Sequence, residues 1–224
     1  MKKLLFLVLC LAVATPSFAG FTGTFEKGGT TATVDIIAEV ELYWIGGSQG
    51  GPFGINVISG NLGGYGGPSY CLESRAELDF DTTYYASIDR VAYAGNLADA
   101  TGDPLSDISE YIYNANKNTT SGFTEISQSI YYAEEEPAGV KGASYDAAAL
   151  ALYGDANQDP SSLNNAGNSV AVLNLWTIKS GGNALTSAAI NPTVYLNDIQ
   201  SQIVGVVPAP GAVLLSGLGT CLVG

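Results

Sequence analysis

At 224 residues, with 21 acidic and eight basic side chains, the chain carries a formal net charge of −13 and contains no histidine. That charge sets it against nucleic acid and anionic membrane surfaces. The missing imidazole excludes serine–histidine and cysteine–histidine hydrolases and the common histidine zinc sites.

The N-terminus has the three parts of a secretion signal. Lys2 and Lys3 open it, Leu4 to Val13 form an apolar stretch, Thr15 and Pro16 break that stretch, and Ser17-Phe18-Ala19 presents small residues to signal peptidase. Cleavage is expected between Ala19 and Gly20. Residues 1–19 are therefore read as a signal peptide, which predicts Sec-dependent export to the cell surface or beyond. Leu9 precedes Cys10 where a lipoprotein site needs a small residue, so lipidation is rejected. Of the three cysteines, Cys10 leaves with the signal and Cys221 lies in an apolar tail, so Cys71 stands alone in the body and no disulfide framework is possible there.

Residues 20–205 read as a single exported domain of α+β class, mostly antiparallel and β-rich, sandwich or barrel-like, with about three helices inserted in the middle. Thr30 to Ile37, Val40 to Ile45 and Phe53 to Ile58 are β-branched and aromatic runs punctuated by Gly28-Gly29, Gly46-Gly47 and Gly50-Gly51-Pro52, the pattern of hairpins. A glycine-rich loop then leads into a strand near Tyr70 to Glu73, and Thr82 to Tyr93 alternates as another. The period then changes. Asp103 and Pro104 offer an N-cap and a first-turn proline, and Leu105, Ile108, Ile112 and Ala115 follow at helical spacing. Phe123, Ile126, Ile130 and Ala133 repeat that spacing, and a third helix is expected from Ser144 to Gly154. Ser169 to Lys179 and Thr193 to Val207 return to strand composition and are expected to pair across Gly181-Gly182-Asn183.

Residues 206–224 form a proline hinge, Val207-Pro208-Ala209-Pro210-Gly211, leading into an apolar run. This stretch resembles the PEP-CTERM sorting signal of exported proteins in Gram-negative bacteria, with alanine where the usual motif has glutamate. The arginine cluster that ends that signal is absent, so the run is expected to continue past Gly224. The resemblance implies transient membrane insertion through the tail, handling by an exosortase-type processing enzyme, and release or display at the surface, often within extracellular polysaccharide.

Two readings of Cys71 stay open. Between Tyr70 and Leu72 it suits a buried strand position as a small hydrophobe. Alternatively, Tyr70-Cys71-Leu72-Glu73 and Gln128-Ser129-Ile130-Tyr131-Tyr132 resemble the two halves of the thioester domains of bacterial surface adhesins. That resemblance implies that Cys71 is the thiol and Gln128 the acyl donor of an internal thioester, with Tyr70, Tyr131 and Tyr132 shielding it, and that surface-protein amines are its targets. In a regular helix, Gln128 projects about 180° from the Phe123, Ile126, Ile130 and Ala133 face, so a thioester there needs a second buried face.

Asp155, Asn157 and Asp159 imitate the start of a calcium loop, but Pro160 stands where glycine is required and Ala166 where the closing acid belongs. A solvated turn is the expectation, with no metal. Glu134 to Glu136 read as a solvated acidic helix end, and no motif calls for a cofactor. Three function classes follow: a non-enzymatic surface or matrix protein with a structural or binding role, the same protein armed with a thioester for covalent adhesion, and a carbohydrate-active enzyme, for which nothing selects a carboxylate pair.

Overall fold

The computed structural model describes residues 18–48, 50–74, 78–94, 100–160, 167–179 and 194–207. Residues 1–17, the Gly181-Gly182-Asn183 turn and the sorting motif from Pro208 onward lie outside the described residues. The expected cleavage point between Ala19 and Gly20 lies directly before the first strand.

The β-branched and aromatic runs form strands β1 (Phe21–Lys27), β2 (Thr30–Ile36), β3 (Ala38–Ser48), β4 (Gly51–Gly60), β5 (Tyr65–Cys71), β6 (Thr83–Asp89), β9 (Val170–Ile178) and β10 (Val194–Val206). The short β7 (Val91–Ala92) and β8 (Asp103–Pro104) pair with each other. Six of the long strands close on themselves. β10 pairs with β5, β5 with β4, β4 with β3, β3 with β6, β6 with β9, and β9 returns to β10, every pair antiparallel. The result is a barrel, which leaves these six strands without a free edge. The β1–β2 hairpin extends the sheet through a parallel contact between β1 and the start of β10. The β9–β10 pairing expected from the sequence is present, and β10 runs one residue beyond the limit drawn at residue 205.

Strand alternation sorts the side chains into layers. Ala38, Val40, Leu42, Tyr84, Ala86, Leu173, Leu175 and Val204 meet inside the barrel. On the outer face of β5, β9 and β10, Tyr70, Leu72, Val170, Val172 and Ile203 pack against three helices: α1 (Asp107–Asn116), α2 (Phe123–Ala133) and α3 (Ala143–Tyr153). The helices bring Ile108, Ile112, Ile126, Ile130 and Ala148 to that layer, as the 3.6-residue period dictates. Each such aliphatic side chain contributes roughly 1.5–3 kcal/mol when fully buried. Elsewhere on the outer wall, Trp176 and Phe25 pack under the β1–β2 hairpin, and the Trp176 indole N–H donates to Ser87 Oγ at 2.9 Å.

Two local expectations are corrected. Asp103 and Pro104 do not open the first helix; they form β8, and the cap is Ser106, whose hydroxyl accepts the Ser109 N–H at 3.0 Å. Ser106 is held in that role from outside its own helix, because Glu134 Oε1 accepts both its N–H (3.2 Å) and its O–H (2.7 Å). For the same reason the acidic end of α2 is not simply solvated. Glu134 is buried, and half-buried Glu136 accepts from the Ser74 N–H and O–H at 3.1 and 2.9 Å. Among the described residues, no helix is long and apolar enough to cross a membrane.

Candidate functional site

Cys71 ends β5 and is buried. The register places it directly opposite Gln202 on β10, and Gln202 in turn opposite Leu173 on β9. Cross-strand partners share a face of the sheet, so Cys71 and Gln202 project with Leu173 toward the barrel interior. Tyr70, one residue earlier, projects to the opposite face, where its ring meets Tyr113 edge-on at 6.4 Å.

Gln202 is fully buried, and its Nε2 lies 4.0 Å from Cys71 Sγ. The Ser69 hydroxyl, also fully buried and two residues before Cys71 on β5, donates to Gln202 Oε1; its other acceptor in range is the Phe53 carbonyl at 3.3 Å. The amide is thereby fixed with its oxygen on Ser69 and its nitrogen toward the thiol. Tyr131 reaches the same point from α2 and packs against Cys71, while Phe53 and Leu78 complete an apolar wall. The thiol is thus enclosed by one amide, one phenol and hydrocarbon.

Glycine makes this enclosure possible at the turn into β4. Gly50 has φ +95°, and its carbonyl accepts the Cys71 N–H at 3.0 Å. A Cβ there would sit 2.6 Å from the Tyr131 oxygen and 2.8 Å from Ser127 Cβ, so a side chain would drive α2 off the site.

Burial pushes the Cys71 thiol well above its ordinary range, and the nearby Glu73 charge adds to this, while the Tyr131 hydrogen bond partly offsets them. A thiolate is therefore costly here and a neutral sulfur species is favoured. Tyr131 is raised too, by burial first and then by Cys71, so it keeps its proton. Glu73 itself is pushed up to about 8, chiefly by burial. Its Oε2 accepts the Ser201 N–H at 2.8 Å, and its Oε1 is buried without a partner.

The other residues singled out in the sequence fall into separate places. Gln128 is half-buried on α2; its carbonyl accepts the Val140 N–H at 3.2 Å, and no hydrogen bond joins its side chain to Cys71 among the described residues. The glutamine that the fold brings to Cys71 is Gln202. Of the three tyrosines expected as shields, only Tyr131 covers the thiol; Tyr132 packs edge-on against Tyr145 at 4.7 Å in the helical layer. Asp155 and Asn157 form a local turn, with the Asn157 N–H donating to Asp155 Oδ1 at 2.8 Å. Among the described residues, no group of three or more acidic or cysteine side chains is arranged to hold a metal ion. Val207 belongs to the described body, its N–H bonded to the Gly64 carbonyl at 2.7 Å.

Ser69 and Gln202 were missed in the sequence. The available signal was polar side chains at fully buried strand positions: Gln200-Ser201-Gln202 interrupts an otherwise apolar β10. Comparison of the chain with protein-family models, with curated proteins and with solved structures gave no match to any of them.

Proposed function

We propose that this is a domain built to form an internal thioester, and that Cys71 and Gln202 are its two halves. More particularly, it serves as an exported surface protein that uses the bond once, to acylate an amine on its target. The observation that carries this reading is the buried Gln202 amide held 4.0 Å from the Cys71 sulfur by Ser69. A cysteine that served only as a small hydrophobe would have no need of a glutamine and a serine buried beside it, since burying such groups costs free energy unless they are used or fully paired.

The chemistry is self-balancing. Cys71 Sγ attacks Gln202 Cδ, the S–C bond forms, the C–N bond breaks, and the thiol proton leaves on nitrogen as ammonia. Ser69 O–H stabilises the oxygen of the tetrahedral intermediate. The product is neutral, like the thiol it replaces, so the buried site holds it without a charge near Glu73. In the forward use, a target amine displaces sulfur, and Tyr131 O–H stands ready to stabilise the departing thiolate. Because a thiolate in this site is disfavoured, the bond survives until a nucleophile is positioned against it. The signal peptide, the sorting tail and its exosortase-type enzyme, and display among extracellular polysaccharide complete the reading.

Peptide mapping tests it. After proteolysis under mildly acidic conditions, the peptides bearing Cys71 and Gln202 should migrate as one joined species that hydroxylamine separates. Recovery of the two as independent, unmodified peptides rules the bond out. Replacing Ser69 by alanine removes the side-chain donor that, among the described residues, holds the acyl oxygen. Thioester formation, followed by mass after refolding, should then slow by about 100-fold while the fold is retained.

A further inference from the structure

Beyond the end of β5 lies a small cleft with room for about one water-sized group, whose walls include the carboxyl side chains of Glu73, Asp103, Glu134 and Glu136 together with Leu72 and Ala92. None of the described residues lining it is basic. Three of these carboxyl groups are engaged by the protein through one oxygen each: Glu134 Oε1 by Ser106, Glu136 Oε2 by Ser74, and Glu73 Oε2 by the Ser201 N–H. Glu73 Oε1 has no partner although the residue is only 4% exposed. An unpartnered acceptor at that depth marks a place for a donor from outside.

On the reading that Cys71 and Gln202 form a thioester, we propose that this cleft receives the primary ammonium of the target amine and takes its proton before attack. The ligand class follows from the geometry. Among the described residues, these acids do not converge as a metal site would require. An ammonium group, with three N–H donors and no acceptor, suits carboxyl groups spread around a cleft. The cleft connects to the electrophile through the strands: Glu73 is two residues beyond Cys71, and its Oε2 accepts the N–H of Ser201, the residue before Gln202, at 2.8 Å. An ammonium held there gives one proton to a carboxylate, and the free amine attacks Gln202 Cδ. The amide N–C bond forms, the C–S bond breaks, and Cys71 leaves as thiolate to take the second proton from the attacking nitrogen. Burial raises Glu73 to about 8, Glu134 to about 7 and, with help from Glu135 and Glu136, Asp103 to about 6, which places their proton affinities in the range suited to general-base work near neutrality.

The test compares two nucleophiles on the intact protein at neutral pH, after mass has established that the thioester is present. Nα-acetyllysine brings an ammonium; hydroxylamine is largely uncharged. In Asp103→Asn, and separately in Glu136→Gln, the rate of adduct formation with Nα-acetyllysine should fall at least about tenfold while hydroxylamine reacts within about twofold of the unsubstituted protein. An unchanged lysine rate in both variants, or an equal fall for both nucleophiles, overturns the role of the cleft. If no thioester is found before any amine is added, the underlying reading fails, and that failure is seen in the starting mass rather than in the rates.

Discussion

Changing Gln202 to alanine should abolish the internal thioester, whereas changing Gln128 to alanine should leave it intact. The expectation follows from register rather than from sequence proximity. Gln202 is the cross-strand partner of Cys71, with its nitrogen 4.0 Å from the sulfur, while Gln128 sits half-buried on α2 with no hydrogen bond to Cys71. The effect of Gln202→Ala is all-or-none, because it removes the acyl carbon itself. Loss of its amide leaves Ser69 with the Phe53 carbonyl at 3.3 Å as an acceptor, so the barrel need not unfold. Gln202→Glu is a useful companion: it keeps the shape but offers a poorly electrophilic carboxylate, and it too should carry a free thiol. Retention of the bond in Gln202→Ala, or its loss in Gln128→Ala, would transfer the acyl role to the other glutamine.

Stability against urea should fall as pH is raised from about 5 to about 8. Glu73, Glu134 and Asp103 each hold their proton more tightly in the folded chain: burial, the largest cause in each case, lifts them from 4.5 to about 8, from 4.5 to about 7, and from 3.8 to about 6. A carboxyl group whose pKa is raised on folding favours the folded state below its unfolded value, and that contribution is lost as pH rises through the folded value. The window therefore runs from about 4.5 upward to about 8. At roughly 1.4 kcal/mol per pH unit for each shifted proton, the loss is on the order of a few kcal/mol for Glu73 alone, and the smaller shifts of Glu134 and the less buried Asp103 add to it. Glu125 acts in the opposite sense. Burial would raise it, but hydrogen bonds from the Ser144 N–H and O–H and from Ser129 prevail and hold it below its ordinary value, so its contribution disappears in more acidic solution. Glu73→Gln should flatten the upper part of the slope, between about pH 7 and pH 8, where Glu73 holds its proton after Glu134 and Asp103 have lost theirs. A urea midpoint that is constant, or that rises, between pH 5 and pH 8 would contradict the assignment of buried, proton-binding carboxyl groups.

Much of the architecture was legible because it is local. The β-branched and aromatic run Val40 to Ile45 and the alternation in Thr82 to Tyr93 marked strands, and the spacing of Phe123, Ile126, Ile130 and Ala133 marked α2. The first helix start was misplaced because Asp103 and Ser106 are both competent caps, and the choice depends on Glu134, 28 residues later, reaching Ser106. The acidic end of α2 was misread for the same reason, since its burial depends on contacts far along the chain. At the candidate site, Cys71 and Tyr131 could be found from the motifs around them. Gln202 could not, because its role depends on β10 lying beside β5, a pairing of segments about 130 residues apart that local pattern does not encode. Gly50 likewise looked like turn punctuation, whereas it lets α2 approach the thiol.

The most direct test of a Cys71–Gln202 thioester is the intact mass of the purified protein before and after exposure to methylamine. The account predicts a starting mass below that of the sequence by one ammonia, a gain of one methylamine on treatment, and neither change in Cys71→Ala. A starting mass equal to the sequence, with a Cys71 thiol that titrates freely after unfolding and no methylamine adduct, would contradict it.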